Sequence, residues 1–155
     1  MDAASAKLQW WFLFQQVPHL PEALITGREE IWLRHFFGQW SYDPRMLTDD
    51  EIAVYTRAYS QPGAVRGASD DYRAGPVDVA QDEQDADELI ICPTLALWGA
   101  DFDAAGQQFD VLDVWRGMAH TVRGVSIPRC GHLPHEERPD VVNPELLAFP
   151  DGWKG

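Results

Sequence analysis

Thr94-Leu95-Ala96-Leu97-Trp98-Gly99 is a short apolar run that stops at a glycine. Such a run is typical of a β-strand that is buried on both faces, as strands of a parallel sheet are. The segment from Val122 to Ile127 predicts a second short strand, and the residues between the two, from about 109 to 119, carry a helical apolar pattern. A strand, a helix and a second strand in this order predict a parallel pair with a right-handed crossover. A last helix is predicted from Val141 to Phe149.

The chain before this run differs, because its aromatic residues recur at helical spacing. Trp32, Phe36 and Trp40 lie four residues apart and form a stripe that needs a surface to bury against. Thr48 and Glu51 have the spacing of a capping box, which marks the start of a helix. We predict four short helices, over residues 4–16, 29–40 and 48–59 and from Pro62 onward, with the Pro18–Pro21 stretch ending the first.

An acidic segment separates the two parts. Six of the eleven residues from Asp78 to Glu88 are acidic, without the glycine and alternating oxygen ligands of a calcium loop. We interpret this segment as a solvated connector. The predicted organisation is therefore a helical domain over residues 1–76, a connector over 77–90 and an α/β part over 91–155.

Charge and composition exclude several classes of protein. The chain has 12 basic and 25 acidic residues and a formal net charge of −13, which argues against nucleic acid or an anionic membrane as a partner. The longest apolar run near the start, from Trp10 to Phe14, is too short for a transmembrane helix. Two cysteines, Cys92 and Cys130, do not make a disulfide framework, so we expect a cytoplasmic protein.

Two strands are too few for the apolar surface in this sequence. A sheet that covers both faces of Leu95 and Leu97 needs more strands than the chain predicts. We therefore expect either self-association or a complementing chain that supplies the rest of the core.

Ionisable residues follow both predicted strands, where parallel sheets bind their ligands. Asp101 and Asp103 come after the first strand, and His132 comes after the second. A carboxylate followed by a histidine is the order of the acid and base in a nucleophile, acid and histidine triad. Neither Ser69 nor Ser126 lies in a G-x-S-x-G nucleophile elbow. The sequence thus predicts the acid and base of a triad without its nucleophile.

A zinc site is the competing interpretation of the same region. Cys92, Cys130, His132 and His135 are all of ligand type, but Cys130 and His132 lack the spacing of a zinc knuckle. We therefore predict no metal here and interpret the two cysteines as buried thiols at strand ends.

Five motifs in order resemble the second half of α/β hydrolases related to fluoroacetate dehalogenases and epoxide hydrolases. The resemblance covers the chain from about Leu8 to Phe149. It implies the C-terminal part of an α/β-hydrolase fold, in which residues 1–76 form a helical cap that precedes two parallel strands with flanking helices. The motifs are QWWFLFQQVPHLPEALI (9–25), DDYRAG (70–75), PTLALWGA (93–100), DVWRGMA (113–119) and GHLPHEERPD (131–140).

The resemblance also implies roles for individual residues. His132 matches the histidine that activates water to hydrolyse a covalent intermediate. Trp11 and Tyr72 match the cap residues that point an indole N–H and a phenol O–H at the departing halide. Trp10 stands where the dehalogenases have a histidine, so one halide donor is changed. The resemblance leaves two positions for the triad acid: after an earlier strand that is missing here, or, as in many relatives, where Asp101 and Asp103 lie.

The implied reaction is hydrolytic carbon–halogen cleavage of a small 2-haloacid by a carboxylate nucleophile, with no cofactor or metal. Epoxide hydrolysis is the alternative, since Tyr72 would serve both reactions, and a serine esterase is the third. Because the nucleophile is missing, we expect this chain to be inactive alone. A truncated module that binds a small molecule or a partner is the non-enzyme alternative.

Overall fold

The computed structural model of the chain describes residues 10–102 and 109–152. These residues form two compact units. The helical unit comprises the described residues up to Phe37 together with Leu47–Asp85. The strand unit comprises Gly38–Met46 together with the described residues from Ala86 onward.

Five helices account for most of the helical unit. The aromatic stripe of the third is half-buried at Trp32 and buried at Phe36, and their rings are 4.6 Å apart. The capping box at Thr48 is confirmed, since the Thr48 hydroxyl accepts the Glu51 N–H while the Glu51 carboxylate accepts the Thr48 N–H. The helices are α1 (Trp10–Gln16), α2 (Leu20–Ile25), α3 (Glu29–Trp40), α4 (Asp49–Tyr59) and α5 (Ala64–Gln84).

Helix α2 was not predicted, and the expected number of four helices was wrong. The two prolines near it indicated a break, but Pro21 lies in the first turn of α2, where its missing N–H has no intrahelical acceptor to lose. The predicted start of the first helix, at residue 4, lies outside the described residues.

The acidic segment is helical over more than half of its length. Helix α5 begins at Ala64, after Gly63 in the left-handed conformation (φ 86°), and continues through Pro76 to Gln84. Residues 77–84, predicted as part of the connector, are therefore helical, and all of them are exposed. A helix needs no buried face over two turns when the rest of it is packed, and alanine, glutamine and glutamate favour the helical state.

The two predicted strands have the predicted bounds and the predicted parallel pairing. β1 (Thr94–Gly99) pairs with β2 (Val122–Ile127), with Thr94 opposite Val122 and Gly99 opposite Ile127. α6 (Val111–Met118) connects them, and its first turn is capped by the Asp110 carboxylate, which accepts the Asp113 N–H at 3.0 Å. The short helix α7 (Pro134–Glu137) and the longer α8 (Pro139–Gly152) follow β2.

Strand β1 is only partly covered within this chain. Ala96 and Gly99 are buried, whereas Leu95 and Leu97 are half-buried. The sheet of the described residues has two strands, which are too few to cover both faces of the two leucines. The core of the strand unit instead lies at the end of β2, where Ile127, Cys130 and Val142 are buried with Leu97, Val125 and Val141 packed against them.

Candidate active site

The loop that follows β2 carries the predicted histidine, and we call residues 128–133 the histidine loop. Its backbone passes close to two neighbouring segments. A Cβ on Gly131 would lie 2.0 Å from the Trp40 carbonyl oxygen, and a Cβ on Gly99 would lie 1.8 Å from the Gly131 carbonyl oxygen. Both positions require glycine, because only a residue without a side chain allows this approach. The end of β1 and the end of α3 therefore fix the path of the histidine loop.

The His132 imidazole is contacted by two aromatic side chains. Its ring stacks on Phe102, with centroids 4.3 Å apart and planes at 24°, and meets the edge of Trp40 at 5.1 Å. The His132 N–H donates to the Trp40 carbonyl at 2.6 Å, which fixes the backbone at this point. One side of the residue stays open to solvent. This arrangement holds the imidazole in place and leaves it accessible.

The surroundings favour the neutral form of His132. Loss of hydration lowers the pKa of the imidazole from its ordinary value of 6.5, while the negative charge of Glu137 raises it by a smaller amount. A neutral imidazole can accept a proton at pH 7, which is the requirement for a general base.

Asp101, one of the two predicted acids, binds the backbone of the histidine loop. Its carboxylate accepts the Arg129 N–H at 2.8 Å, and its own N–H donates to the Cys130 carbonyl at 3.1 Å. Within the described part of the chain, no hydrogen bond joins it to the His132 imidazole. Asp103, the other predicted acid, lies outside the described residues. Its role as the triad acid stays a prediction, as does that of Asp101.

Sequence reasoning missed Glu137, the carboxylate with the most hydrogen bonds to this loop. It accepts the N–H groups of Gly131 and Leu133, on either side of His132, and that of Tyr42. In the sequence Glu137 lies five residues after His132, and in the structure it is the last residue of α7. A carboxylate that binds backbone amides leaves no other mark in the sequence.

The predicted halide donors Trp11 and Tyr72 contact each other within the helical unit. Their ring centroids are 5.5 Å apart, with the planes at 78°. Both side chains are half-buried. Burial raises the pKa of the Tyr72 phenol above its ordinary value of 10.0, and the neighbouring Tyr59 and Asp71 add to the effect. Tyr72 is therefore protonated at neutral pH and is a hydrogen-bond donor.

Trp10 belongs to a different set of aromatic contacts. Its ring stacks on Phe36, with centroids 6.0 Å apart and planes at 27°, and meets Trp32 edge-on at 6.1 Å. It also lies beside Phe14 and His35. These contacts are those of a packing residue, although two-fifths of Trp10 is exposed. Its predicted role in binding a substrate or halide stays a prediction.

The described residues contain neither a membrane-spanning helix nor a metal-binding group. None of their helices is both long enough and apolar enough to cross a membrane. Among the same residues, no group of three histidine, cysteine, aspartate or glutamate side chains is arranged to hold a metal ion.

The chain is similar in sequence and in structure to known hydrolases. It is 28% identical over 134 residues to the soluble epoxide hydrolase of Corynebacterium sp. strain C12. This alignment covers 85% of this chain and 45% of the hydrolase. It is 29% identical over 156 residues to the fluoroacetate dehalogenase of Burkholderia sp.. This alignment covers 94% of this chain and 48% of the dehalogenase. The solved structure of epoxide hydrolase CorEH matches with a TM-score of 0.85 and 26% identity, over 98% of this chain and 53% of that one.

The chain therefore has the fold of the C-terminal part of an α/β hydrolase. It spans less than half the length of the two sequence relatives. No protein-family profile matches it. The predicted fold class is confirmed, with the helical cap of the hydrolase first and two parallel strands with flanking helices after it.

Proposed function

We propose that this α/β-hydrolase chain supplies the water-activating base and the leaving-group donors for hydrolysis at an aliphatic carbon of a small 2-haloacid. The observation that carries the proposal is the placement of His132, whose imidazole is held by Phe102, Trp40 and the backbone of its loop. Its relation to a fluoroacetate dehalogenase supports the substrate class.

In the proposed reaction a carboxylate displaces the halide and forms an ester with the substrate carbon. His132 then removes a proton from water, and the resulting hydroxide attacks the ester carbonyl. The bond between the acyl carbon and the alkyl oxygen then breaks, and the departing alkoxide takes the proton of the hydroxyl group added to the acyl carbon, which releases the hydroxyacid and restores the carboxylate. The proton on His132 leaves to solvent, so that halide, proton and alcohol balance the alkyl halide and the water consumed.

Trp11 and Tyr72 supply the donors for the departing halide in this proposal. Their half-buried rings are in contact and carry an indole N–H and a phenol O–H, the two kinds of donor that this role requires. Such donors stabilise the charge that develops as the carbon–halogen bond breaks.

The nucleophile comes from outside this sequence. No G-x-S-x-G or G-x-D-x-G elbow occurs in the 155 residues. We propose that the first half of a hydrolase fold, as a complementing chain, supplies the carboxylate and the strands that cover β1.

Epoxide hydrolysis is the second candidate. Soluble epoxide hydrolases are among the relatives, both in sequence and in structure. The same phenol that would bind a halide would protonate the oxygen of an opening oxirane, because burial keeps Tyr72 protonated.

The test is complementation. The chain is co-expressed with the first half of the Burkholderia dehalogenase, and the purified pair is assayed with fluoroacetate, chloroacetate, styrene oxide and a nitrophenyl ester. We expect halide release that His132→Ala reduces by at least about a thousandfold, while the control His135→Ala, at an exposed side chain of α7, retains the rate. Halide release that survives His132→Ala contradicts the proposal. Turnover of styrene oxide alone favours the epoxide alternative.

A further inference from the structure

The carboxylate of Glu137 ties together the backbone on both sides of His132. Oε1 accepts the N–H of Gly131 at 3.0 Å and that of Leu133 at 3.1 Å. Oε2 accepts the N–H of Tyr42 at 2.7 Å and shares the Gly131 N–H at 3.0 Å. All three donors are backbone groups, so the carboxylate is bound by three amides and by no cation among the described residues.

These bonds define the position of His132 from two directions. The segment that contains Tyr42 also contains Trp40, whose carbonyl accepts the His132 N–H at 2.6 Å. Glu137 therefore bonds to the histidine loop and to the backbone segment against which His132 is held. Loss of the carboxylate would leave three amides without their acceptor, including the one at buried Gly131.

Glu137 is also the carboxylate that acts on His132 electrostatically. The other ionisable groups near the loop are Asp101, which follows β1, Cys130 within the loop, and Arg138, which follows α7. Burial raises the pKa of the Cys130 thiol to about 11, and the charges of Glu137, Arg138 and Asp101 also act on it. At His132 the charge that opposes the loss of hydration is that of Glu137. Trp40 and Phe102, which contact the ring, do not titrate.

We infer that Glu137 is the positioning residue for His132, and that its amide-bound carboxylate holds the histidine loop and stabilises the imidazolium that forms when His132 takes a proton. A carboxylate fixed by backbone amides does not need to reorganise when that charge appears. The role is carried out through His132 and involves no contact with the substrate. The inference rests on the proposed function only for its catalytic meaning.

The test uses NMR titration of the 155-residue chain and needs no turnover. Glu137→Gln keeps the size of the side chain and removes its charge. We expect the pKa of His132 to fall in this variant, because the negative charge that favours the imidazolium is gone. We also expect the amides of Gly131, Leu133 and Tyr42 to exchange with solvent at least about tenfold faster, since each loses a bond to a charged acceptor.

Two matched variants make the result specific. Asp140→Asn removes the same charge from an exposed ion pair with Arg138, and should leave the pKa of His132 and the three amides unchanged. Asp101→Asn removes the other carboxylate that bonds to the loop. An unchanged pKa of His132 in Glu137→Gln overturns the inference, and so does a larger fall in Asp101→Asn.

A second variant covers the case in which Glu137→Gln does not fold. Glu137→Asp keeps the negative charge but shortens the side chain, so the amides of Gly131, Leu133 and Tyr42 should exchange with solvent faster than in the parent chain. Unchanged exchange of all three amides overturns the inference. Since both measurements are made without substrate, a failed complementation assay leaves this inference standing, and the reverse also holds.

Discussion

Close backbone approaches decide the identity of two residues at the candidate site. Gly99 and Gly131 lie where chain segments nearly touch, and neither contact depends on a positive φ. Their requirement for glycine is therefore steric. The sequence alone does not reveal it, because the partner of Gly131 is a backbone carbonyl some ninety residues earlier, at Trp40.

The first prediction concerns Gly131→Ala. The added methyl group would overlap the Trp40 carbonyl oxygen and come within 2.9 Å of the Ser41 Cα, so backbone must move. We expect a loss of about 1–3 kcal/mol in the free energy of unfolding. The control is Gly117→Ala in α6, where a Cβ meets nothing within 4 Å and helix propensity predicts a small gain. Urea titration measures both, and equal stabilities for the two variants would refute the steric argument.

The second prediction concerns Glu22 and Arg73 in the helical unit. Arg73 donates two hydrogen bonds to the Glu22 carboxylate, at 2.8 and 3.0 Å, and one to the Val17 carbonyl at 3.0 Å. The bond to Arg73 lowers the pKa of Glu22 below its ordinary value of 4.5. A carboxyl group whose pKa is lower in the folded state than in the unfolded state stabilises the fold above about pH 4.5. That contribution is lost as the pH falls through the pKa of the folded state.

Glu22→Gln should therefore be less stable than the parent chain at pH 7, and the difference should close as the pH falls below 4.5. Thermal melts over this pH range test the expectation. Glu30→Gln is the control, because the Glu30–Arg34 pair is exposed and contributes little. A difference that stays constant with pH would show that the Arg73 bond does not set the titration of Glu22.

At the residue scale, the sequence could place a side chain that follows a strand, but it could not reveal one whose partners are backbone groups. His132 could be placed at the end of a strand from its motif. Glu137 was missed because its partners are amides that come together only when the loop closes on α7 and on Tyr42. Asp101 was proposed as an acid, and its carboxylate bonds to the Arg129 amide.

At the scale of elements, the strands were the easiest to predict. The apolar run of β1 and the branched residues of β2 are short and bounded by turns, and both strands have their predicted bounds. The prolines do not mark the ends of helices in this chain, since Pro21 lies in the first turn of α2 and α5 continues through Pro76. Proline is compatible with the first turn, whereas inside a helix it is tolerated only at a cost that neighbouring turns must offset.

The third prediction concerns Pro76, which lies inside α5. Pro76 cannot donate to the Tyr72 carbonyl four residues earlier, and Pro76→Ala restores the donor. We expect the exposed end of α5, residues 77–84, to become more stable by up to about 3 kcal/mol. Slower amide exchange over those residues is the measurement. Pro62→Ala, before the helix begins, should not change it, and faster exchange in Pro76→Ala would contradict the expectation.

At the scale of the whole molecule, the strand unit leaves large apolar side chains in solvent. Ile91, just before β1, is 84% exposed, and Leu147 of α8 is 77% exposed. A two-stranded sheet with such neighbours resembles part of a core that another segment would cover.

The fourth prediction is association of the chain with itself when no complementing chain is present. Sedimentation velocity should show oligomers whose fraction rises with concentration, because association removes the exposed apolar surface from water. Ile91→Glu with Leu147→Glu should reduce it. Val54→Glu, in the helical unit, is the control, since that side chain is also exposed. A single monomer peak with cooperative melting would contradict the prediction.

We propose that this chain provides the histidine of a hydrolase without its nucleophile. The most direct measurement is turnover by the purified chain alone, with fluoroacetate, chloroacetate, styrene oxide and a nitrophenyl ester at high enzyme concentration. We predict no hydrolysis above the rate in buffer, because loss of the nucleophile removes most of the rate enhancement in triad enzymes. Clear turnover that His132→Ala abolishes and His135→Ala retains would contradict the claim, since the chain would then contain a nucleophile of its own.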